Sequence, residues 1–389
     1  MASEMPPFRV LSLDGGGMRG TYTATYLDQV AATFARRREV EALDIGGAFD
    51  LIVGTSTGGI IACALAAGVP LTEVVELYRR HGAAIFRRRL PSKLSGVLVD
   101  HFGRPGALAD GEAALRQALH NVLGATTVKD IYDQRGIALA IPAVEMSQHH
   151  AWVFKTPHFA ATNHRDDDYT LVDVCLATSA APIFRSMAAV DHADIRGKGY
   201  NVFVDGGLWS NNPVLVGLIE ALDIAAQGQA IEIYCLGTCP MPAGEQVSRD
   251  SVHRGLVDWK FGGDAASLSI DAQQFAYDHM AKKLAKHVGR PCTVLRFPSD
   301  KVPAALIPFL ALDDTRREAI DALINQARTD ADMTNSKCAY RDRDPEAALI
   351  CSLFESAPAR TDPLFKRQPP LAQGASLPNP PTRKETGNV

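Results

Sequence analysis

Short apolar runs that end in glycine alternate with amphipathic stretches in the first part of the chain. Phe8 to Leu13 (FRVLSL) and Phe49 to Val53 (FDLIV) have the apolar character typical of buried strands. Thr21 to Arg38 carries apolar side chains at helical spacing, and the small-residue segment Gly58 to Ala67 predicts a second helix. The order strand, helix, strand, helix predicts right-handed crossovers and adjacent parallel strands.

Further strands are predicted in the middle of the chain, with helices between and after them. They are Ile137 to Val144, Ala151 to Phe154, Tyr200 to Val204 and Ile231 to Leu236. Runs that are apolar almost throughout indicate strands covered on both faces. We therefore predict an α/β fold in which helices cover both faces of a mostly parallel central sheet.

The 389 residues divide into segments of different composition. We predict one domain over residues 8–355, with a motif-bearing core at about 8–240 and a helical extension at about 244–355. From about residue 356 onward the sequence turns to Pro, Arg, Gln and Gly with few apolar residues, which predicts a disordered tail over 356–389.

Charge and hydropathy exclude several classes of protein. The net charge of −4 provides no global basic field that would recruit a nucleic acid polymer. No apolar run reaches the roughly 20 residues of a membrane span, and the N-terminus lacks the pattern of a signal peptide. We expect a cytoplasmic protein. The basic cluster Arg87 to Arg89 follows the apolar stretch Ala83 to Phe86, and two interpretations of it stay open, a solvated face or a point of transient contact with the inner membrane.

Cysteine spacing gives no sign of a metal site. The seven cysteines are scattered, and only Cys235 and Cys239 lie close together, without a second pair to complete a zinc site. We expect reduced, mostly buried thiols, no metal and no cofactor.

The pentapeptide from Gly54 to Gly58 (GTSTG) matches the Gly-x-Ser-x-Gly nucleophile elbow. It lies where the second strand passes into a helix, and this is the context that the motif requires. The turn would project the hydroxyl of Ser56 above the sheet, beside the N-terminal N–H groups of the helix. An ordinary glycine-rich turn is the alternative for this pentapeptide taken alone.

A glycine-rich loop, Asp14 to Gly20 (DGGGMRG), follows the first strand and should lie beside the Ser56 turn. The unshielded N–H groups of Gly15, Gly16 and Gly17 are suited to an oxyanion hole, and Arg19 would add positive charge. The loop also fits the dinucleotide-binding pattern Gly-x-Gly-x-x-Gly. That alternative is disfavoured because the second strand ends in the Ser56 turn and not in an acidic residue that could hold a ribose.

Asp205 ends the strand YNVFV and precedes two glycines. A carboxylate at this edge of the sheet could take the proton of Ser56, provided that an apolar environment raises its pKa. Asp-Gly is also common in simple turns.

Together these three motifs resemble the signature of the patatin-like phospholipase family, over residues 8 to about 240. The resemblance extends to Ala177 to Pro182 (ATSAAP) and Asn211 to Pro213 (NNP). It implies a patatin-like three-layer sandwich and a catalytic dyad of Ser56 and Asp205. It also implies an oxyanion region of Gly15, Gly16, Gly17 and Arg19, with no metal.

Two other functions remain open at this point. One is an esterase with a Ser-Asp-His triad, in which His253, His279 or His287 would join Ser56 and Asp205. The other is a lipid-binding protein without catalytic activity.

Family resemblance also implies a substrate and a form of regulation. The expected substrate is a phospholipid or another lipid ester. Some bacterial members of the family are antiphage effectors that a cyclic oligonucleotide activates, and this chain resembles them in size and plan. We therefore predict activation by a cyclic dinucleotide and assembly into a homo-oligomer, with the extension from Gly244 to Glu355 as the regulatory or contact surface.

Overall fold

Eight strands form one mixed sheet in the computed structural model, which describes residues 5–87, 94–159, 164–191, 199–239, 247–255, 258–259, 263–298 and 302–361. The strands are β1 (Phe8–Leu13), β2 (Leu51–Gly54), β3 (Ala138–Glu145), β4 (His150–Lys155), β5 (Ala188–Asp191), β6 (Tyr200–Asp205), β7 (Ile231–Leu236) and β8 (Cys292–Arg296). Their order is β5-β6-β3-β2-β1-β7-β8, and β4 also pairs with β3. Strands β3, β2, β1, β7 and β8 run parallel, whereas β4 and β6 are antiparallel to β3, and β5 is antiparallel to β6. The predicted mostly parallel sheet is confirmed.

Helices cover both faces of the sheet. They are α1 (Gly20–Arg37), α2 (Thr57–Ala66), α3 (Leu71–Ile85), α4 (Leu94–Leu123), α5 (Val128–Arg135), α6 (Leu171–Thr178), α7 (Gly207–Ser210), α8 (Val214–Ile224), α9 (Gly263–Leu284), α10 (Arg317–Lys337) and α11 (Pro345–Ser356). None of the helices in the described part of the chain combines the length and the apolar character that crossing a bilayer requires.

Neighbouring strand residues enter two separate apolar cores. Val10 packs with the core on the α8 side of the sheet, and Leu11 packs with the core that contains α1 and α2. The same alternation holds for Leu51 and Ile52 in β2. Because successive side chains of a strand point to opposite faces, both cores use the same strands, and the predicted three-layer arrangement is confirmed.

The extension after residue 240 supplies more than helices. Strand β8 adds to the sheet in parallel with β7, where the sequence pattern did not predict a strand. Helix α10 packs on α1, where Asp330 accepts a 2.5 Å hydrogen bond from the hydroxyl of Tyr22. Helix α9 (Gly263–Leu284) lies within the segment that was predicted as a helical extension. The extension is therefore built into the core of the molecule, although its status as part of one domain over 8–355 remains a prediction.

Part of the segment predicted as a disordered tail has defined contacts. The N–H of Asp44 donates to the carbonyl of Pro358 at 2.8 Å, and the N–H of Arg360 donates to the carbonyl of Ala42 at 2.9 Å. The guanidinium of Arg38 donates to the carbonyl of Ala357 at 2.5 Å. Ordered chain thus continues beyond residue 356, and residues 362–389 lie outside the described residues.

All seven cysteines are free, and six of them are buried. The burial agrees with the expectation of mostly buried thiols.

Candidate active site

Ser56 occupies a strained turn between β2 and α2. Its backbone φ of 55° and ψ of −122° are unusual for a residue with a side chain. The flanking glycines allow the turn to pack tightly. A Cβ on Gly58 would lie 2.3 Å from the carbonyl oxygen of Leu13, and a Cβ on Gly54 would lie 2.3 Å from the carbonyl oxygen of Gly58. The turn therefore has the geometry of a nucleophile elbow, with the N-terminus of α2 directly after the serine.

The side chain of Asp205 meets the hydroxyl of Ser56. Ser56 Oγ donates a 2.7 Å hydrogen bond to Asp205 Oδ2, and the N–H of Gly207 donates a 2.7 Å hydrogen bond to Asp205 Oδ1. Both side chains are buried. Burial raises the pKa of Asp205 to about 6, although the two hydrogen bonds and the positive charge of Arg185 act in the opposite direction. The carboxylate is thus ionised at neutral pH and basic enough to take part in proton transfer.

Two strands bring these residues together from opposite directions. β2 runs parallel to β3 beside residues 138–140, and β6 runs antiparallel to β3 beside residues 143–145. Both strands end at the same short stretch of β3, where Pro142 separates them. The sequence placed Asp205 at the edge of the sheet where Ser56 lies, but it did not indicate the direction of the strand that carries Asp205. The two residues meet because two strands end head to head.

Thr178 holds the backbone of the nucleophile in place. Its Oγ1 accepts a 3.0 Å hydrogen bond from the N–H of Ser56 and donates a 2.6 Å hydrogen bond to the carbonyl of Pro142. The segment from Ala177 to Pro182 belongs to the family resemblance, but no sequence pattern indicated a role for Thr178. Ser179, its neighbour, is buried and donates to the carbonyl of Cys175 at 2.6 Å.

The glycine-rich loop lies beside Ser56, as expected from its place after β1. A Cβ on Gly15 would lie 3.3 Å from the Cβ of Ser56. The N–H of Gly15 already donates to the carbonyl of Asn211 at 2.9 Å. Within the described residues, the N–H groups of Gly16 and Gly17 have no hydrogen-bond partner. Of the three predicted oxyanion donors, Gly16 and Gly17 are therefore the ones that are available.

Arg19 supports the loop from inside the protein. Its side chain is buried, and its Nε donates a weak 3.4 Å hydrogen bond to the carbonyl of Gly16. Burial lowers the pKa of Arg19, and the nearby charges of Asp271 and Asp14 counteract this effect. The contact is with the backbone of the loop, and no contact with Ser56 or Asp205 is described.

An ion-pair network behind the loop was missed by the sequence analysis. Arg296 Nη1 lies 2.7 Å from Asp14 Oδ2, and Arg296 Nε lies 2.5 Å from Asp278 Oδ2. Asp278 Oδ1 in turn accepts a 2.8 Å hydrogen bond from Asn212. Burial raises the pKa of Asp14 to about 6, against the lowering effect of Arg296. The network connects the start of the glycine loop to β8 and α9.

The histidines of the alternative triad lie on the surface. His253, His279 and His287 are all exposed, and the ring of His279 stacks on Phe275 in α9. Asp205 bonds directly to Ser56, where a triad would place an imidazole between the two. Within the described ranges, no cluster of three or more His, Cys, Asp or Glu side chains could hold a metal ion.

Comparison with known proteins agrees with this fold and geometry. A family model described as patatin-like phospholipase matches residues 11–218. A cGAMP-activated phospholipase of Pseudomonas aeruginosa (strain BWHPSA011 / Pa011) is 35% identical over 281 residues, which cover 72% of this chain and 76% of the relative. A cGAMP-activated phospholipase of Escherichia coli (strain TW11681) is 37% identical over 56% of this chain and 57% of the relative. Patatin-like protein 2 of Arabidopsis thaliana is 30% identical over 68% of this chain and 67% of the relative. The resemblance predicted from the motifs is confirmed, and the chain belongs to the patatin-like phospholipase family.

Proposed function

We propose that this protein releases fatty acids from phospholipids through a dyad of Ser56 and Asp205. The observation that carries the proposal is the 2.7 Å hydrogen bond from Ser56 Oγ to a buried carboxylate whose pKa is raised to about 6. A serine hydroxyl becomes an effective nucleophile when a positioned base takes its proton. Membership of the patatin-like phospholipase family supports a lipid ester as the substrate.

In the first half of the reaction, Asp205 takes the proton of Ser56 while Oγ attacks the ester carbonyl carbon. The negative charge that develops on the carbonyl oxygen lies against the N–H groups of Gly16 and Gly17. One such donor can lower the barrier by roughly 3 kcal/mol. The bond from the carbonyl carbon to the glycerol oxygen then breaks, and the proton on Asp205 passes to that oxygen. The acyl chain remains on Ser56 as an ester.

In the second half, water replaces the alcohol. Asp205 takes a proton from the water as it attacks the acyl-enzyme carbonyl, and the same two N–H groups face the new oxyanion. The bond from the carbonyl carbon to Ser56 Oγ breaks, and Oγ recovers the proton from Asp205. A free fatty acid leaves, and the enzyme returns to its starting state.

We also propose that a cyclic dinucleotide controls this activity. The support is similarity to two bacterial relatives that are named cGAMP-activated phospholipases. An antiviral role would follow from such control. Contact with the inner membrane and assembly into a homo-oligomer remain predictions. Of the basic cluster expected at the membrane, Arg87 pairs with Asp110 at 2.5 Å, and Arg88 and Arg89 lie outside the described residues.

The proposal is tested by measuring fatty acid release from mixed phospholipid vesicles, in EDTA, with and without a panel of cyclic dinucleotides. We expect release by the wild type in the presence of one of the nucleotides and a loss of at least about 1,000-fold in Ser56→Ala and Asp205→Asn. Matched controls on the surface of α10, Ser336→Ala and Asp321→Asn, should retain wild-type rates.

Each part of the proposal has its own contrary outcome. Activity retained in Asp205→Asn and lost in a variant of His253, His279 or His287 would favour the triad. Equal activity with and without every nucleotide would contradict the regulation and leave the dyad standing. Absence of release by the wild type under all conditions would contradict the phospholipase function.

A further inference from the structure

Arg185 is a buried cation near the Ser56–Asp205 pair, and it takes no part in the proposed steps of ester hydrolysis. Its N–H donates to the carbonyl of Ala181 at 2.9 Å, and the N–H of Asp205 donates to the carbonyl of Ala180 at 3.1 Å. The turn that carries Arg185 is therefore attached to the end of β6. The residue is 7% exposed, so its charge lies within the protein and not on the surface.

The guanidinium of Arg185 has no partner within the described residues. It forms no ion pair or hydrogen bond there, and its Nε is buried and unsatisfied. Glu112, Asp205 and Tyr78 raise the pKa of its guanidinium through electrostatic interaction. The hydroxyl of Tyr78 is bonded to that of Thr57, the residue after the nucleophile. Arg185 thus lies among groups that adjoin the reacting pair.

Nearby carboxylates already have other partners. Glu112 lies 3.3 Å from Arg116, and Asp205 bonds to Ser56 and Gly207. Burial lowers the pKa of Arg185 to about 10, so the group remains charged at neutral pH. A buried charge without a partner is costly, and a planar guanidinium matches the oxygens of a phosphate group particularly well. These features are those of a site for an anion that enters with the substrate.

We propose that Arg185 binds the phosphodiester of the phospholipid substrate while Ser56 attacks the acyl ester. The inference rests on the proposed phospholipase function and deepens it. In a phospholipid, the phosphate and the acyl esters are attached to the same glycerol, so a cation beside the nucleophile is well placed for the phosphate. Cyclic dinucleotides contain the same phosphodiester chemistry. We assign the lipid because the turn that carries Arg185 accepts the backbone hydrogen bond of Asp205, the base in ester attack.

The test compares two lipids with identical acyl chains, phosphatidylcholine and diacylglycerol, in the same detergent micelles and with the activating nucleotide present. Assays at pH 8.5 keep Asp205 ionised in every variant. For Arg185→Gln, we expect the ratio of kcat/KM for phosphatidylcholine to kcat/KM for diacylglycerol to fall roughly 10- to 100-fold, as for loss of a charge-assisted hydrogen bond. Arg185→Lys, which keeps the charge but not the fork of donors, should restore part of the ratio.

A second measurement starts from the wild-type protein, whose result does not depend on how well the variants fold. Glycerophosphocholine, the fully deacylated product, should inhibit hydrolysis of diacylglycerol by the wild type, and the inhibition should weaken in Arg185→Lys. A ratio that stays within about threefold of the wild type, or a lack of inhibition, would overturn the inference.

Two further outcomes distinguish this inference from binding of the activating nucleotide and from failure of the proposed function. A cyclic dinucleotide is titrated calorimetrically into Ser56→Ala and into the double variant with Arg185→Gln. Comparison of the two affinities shows whether Arg185 binds the phosphodiesters of the nucleotide. Loss of nucleotide binding together with an unchanged lipid ratio would assign Arg185 to the activator and overturn our assignment. If the wild type hydrolyses neither lipid, the proposed function and this inference both fail. Hydrolysis of both lipids by the wild type with an unchanged ratio in Arg185→Gln overturns this inference alone.

Discussion

At the scale of single residues, the reactivity of the site depends on the balance of effects on Asp205. Burial disfavours its charged form and raises its pKa, whereas the N–H of Gly207, the hydroxyl of Ser56 and the charge of Arg185 favour the charged form. The resulting pKa of about 6 is close to neutral pH. At such a pKa a general base is basic enough to accept a proton and is still largely ionised.

This balance predicts the pH dependence of the reaction. Asp205 must be ionised to take the Ser56 proton, so kcat/KM for a neutral soluble ester should rise with pH, with a midpoint near 6, and level off above about 7.5. In Arg185→Gln the midpoint should move to higher pH, because a positive charge that lowers the pKa of Asp205 has been removed.

The temperature dependence of the midpoint identifies the titrating group. Ionisation of a carboxyl group has a small enthalpy, so the midpoint should hardly change between 10 and 35 °C. A midpoint that falls steadily on warming would indicate an imidazole and contradict Asp205 as the base.

Local motifs explain which site residues could be predicted from the sequence. The elbow around Ser56 and the glycine loop are specified by neighbouring residues, and both occur where they were expected. The N–H of Gly15 donates to the carbonyl of Asn211, which is 196 residues away, so no local pattern could indicate that this donor is already occupied. Arg185 and Arg296 escaped prediction for the same reason, because a buried arginine has no sequence signature that tells which group it will face.

At the scale of elements, the head-to-head meeting of β2 and β6 determines the site. The sequence predicted each strand from its apolar pattern, and the observed bounds differ by only a few residues. The direction of β6 could not be predicted in this way, because alternation of side chains is the same in parallel and antiparallel strands. Only the pairing with β3 shows that Asp205 approaches from the opposite side.

The link between β8 and the glycine loop gives a prediction at this scale. Arg296 joins Asp14 and Asp278, so Arg296→Gln would leave two carboxylates with no cation between them. We expect the free energy of unfolding to fall by roughly 3 kcal/mol at pH 8. The loss should be smaller at pH 5, because protonation of Asp14, whose pKa is already raised to about 6, removes its unpaired charge.

Urea denaturation at both pH values measures this effect. Arg317→Gln is a suitable control, because Arg317 is 86% exposed and lies 3.8 Å from Asp321, and it should change stability by less than about 0.5 kcal/mol. An equal loss at both pH values, or a loss no larger than that of the control, would show that the network does not hold the loop.

At the scale of the whole molecule, the region that matches the family model contacts residues far beyond its C-terminal end. Residues 11–218 contain the motifs, yet the N–H of Met18 in the glycine loop donates to the carbonyl of Leu312 at 2.9 Å. Gly17 has a φ of +57°, and a Cβ there would lie 2.4 Å from the same carbonyl oxygen. The sequence divided the chain into a motif-bearing core and an extension. The structure shows that the extension forms one wall of the loop.

Truncated chains test this dependence. A chain that ends at residue 361 keeps every contact described here and should retain full activity. A chain that ends at 355 loses the contacts of Ala357, Pro358 and Arg360, and we expect its Tm to be lower by about 5 °C. A chain that ends at 240 lacks β8 and exposes the edge of β7, so it should be aggregated or inactive. Thermal unfolding and fatty acid release by the three chains measure these differences, and full activity of the shortest chain would contradict this view of the loop.

The hydrogen bond between Met18 and Leu312 also has a consequence for biosynthesis. Translation produces Ser56 and Asp205 long before it produces the residues that support the glycine loop. A nascent chain, or one released early by a premature stop codon, therefore carries the complete dyad in its sequence but cannot complete the loop beside it. Hydrolysis of lipid esters would thus be confined to nearly finished molecules.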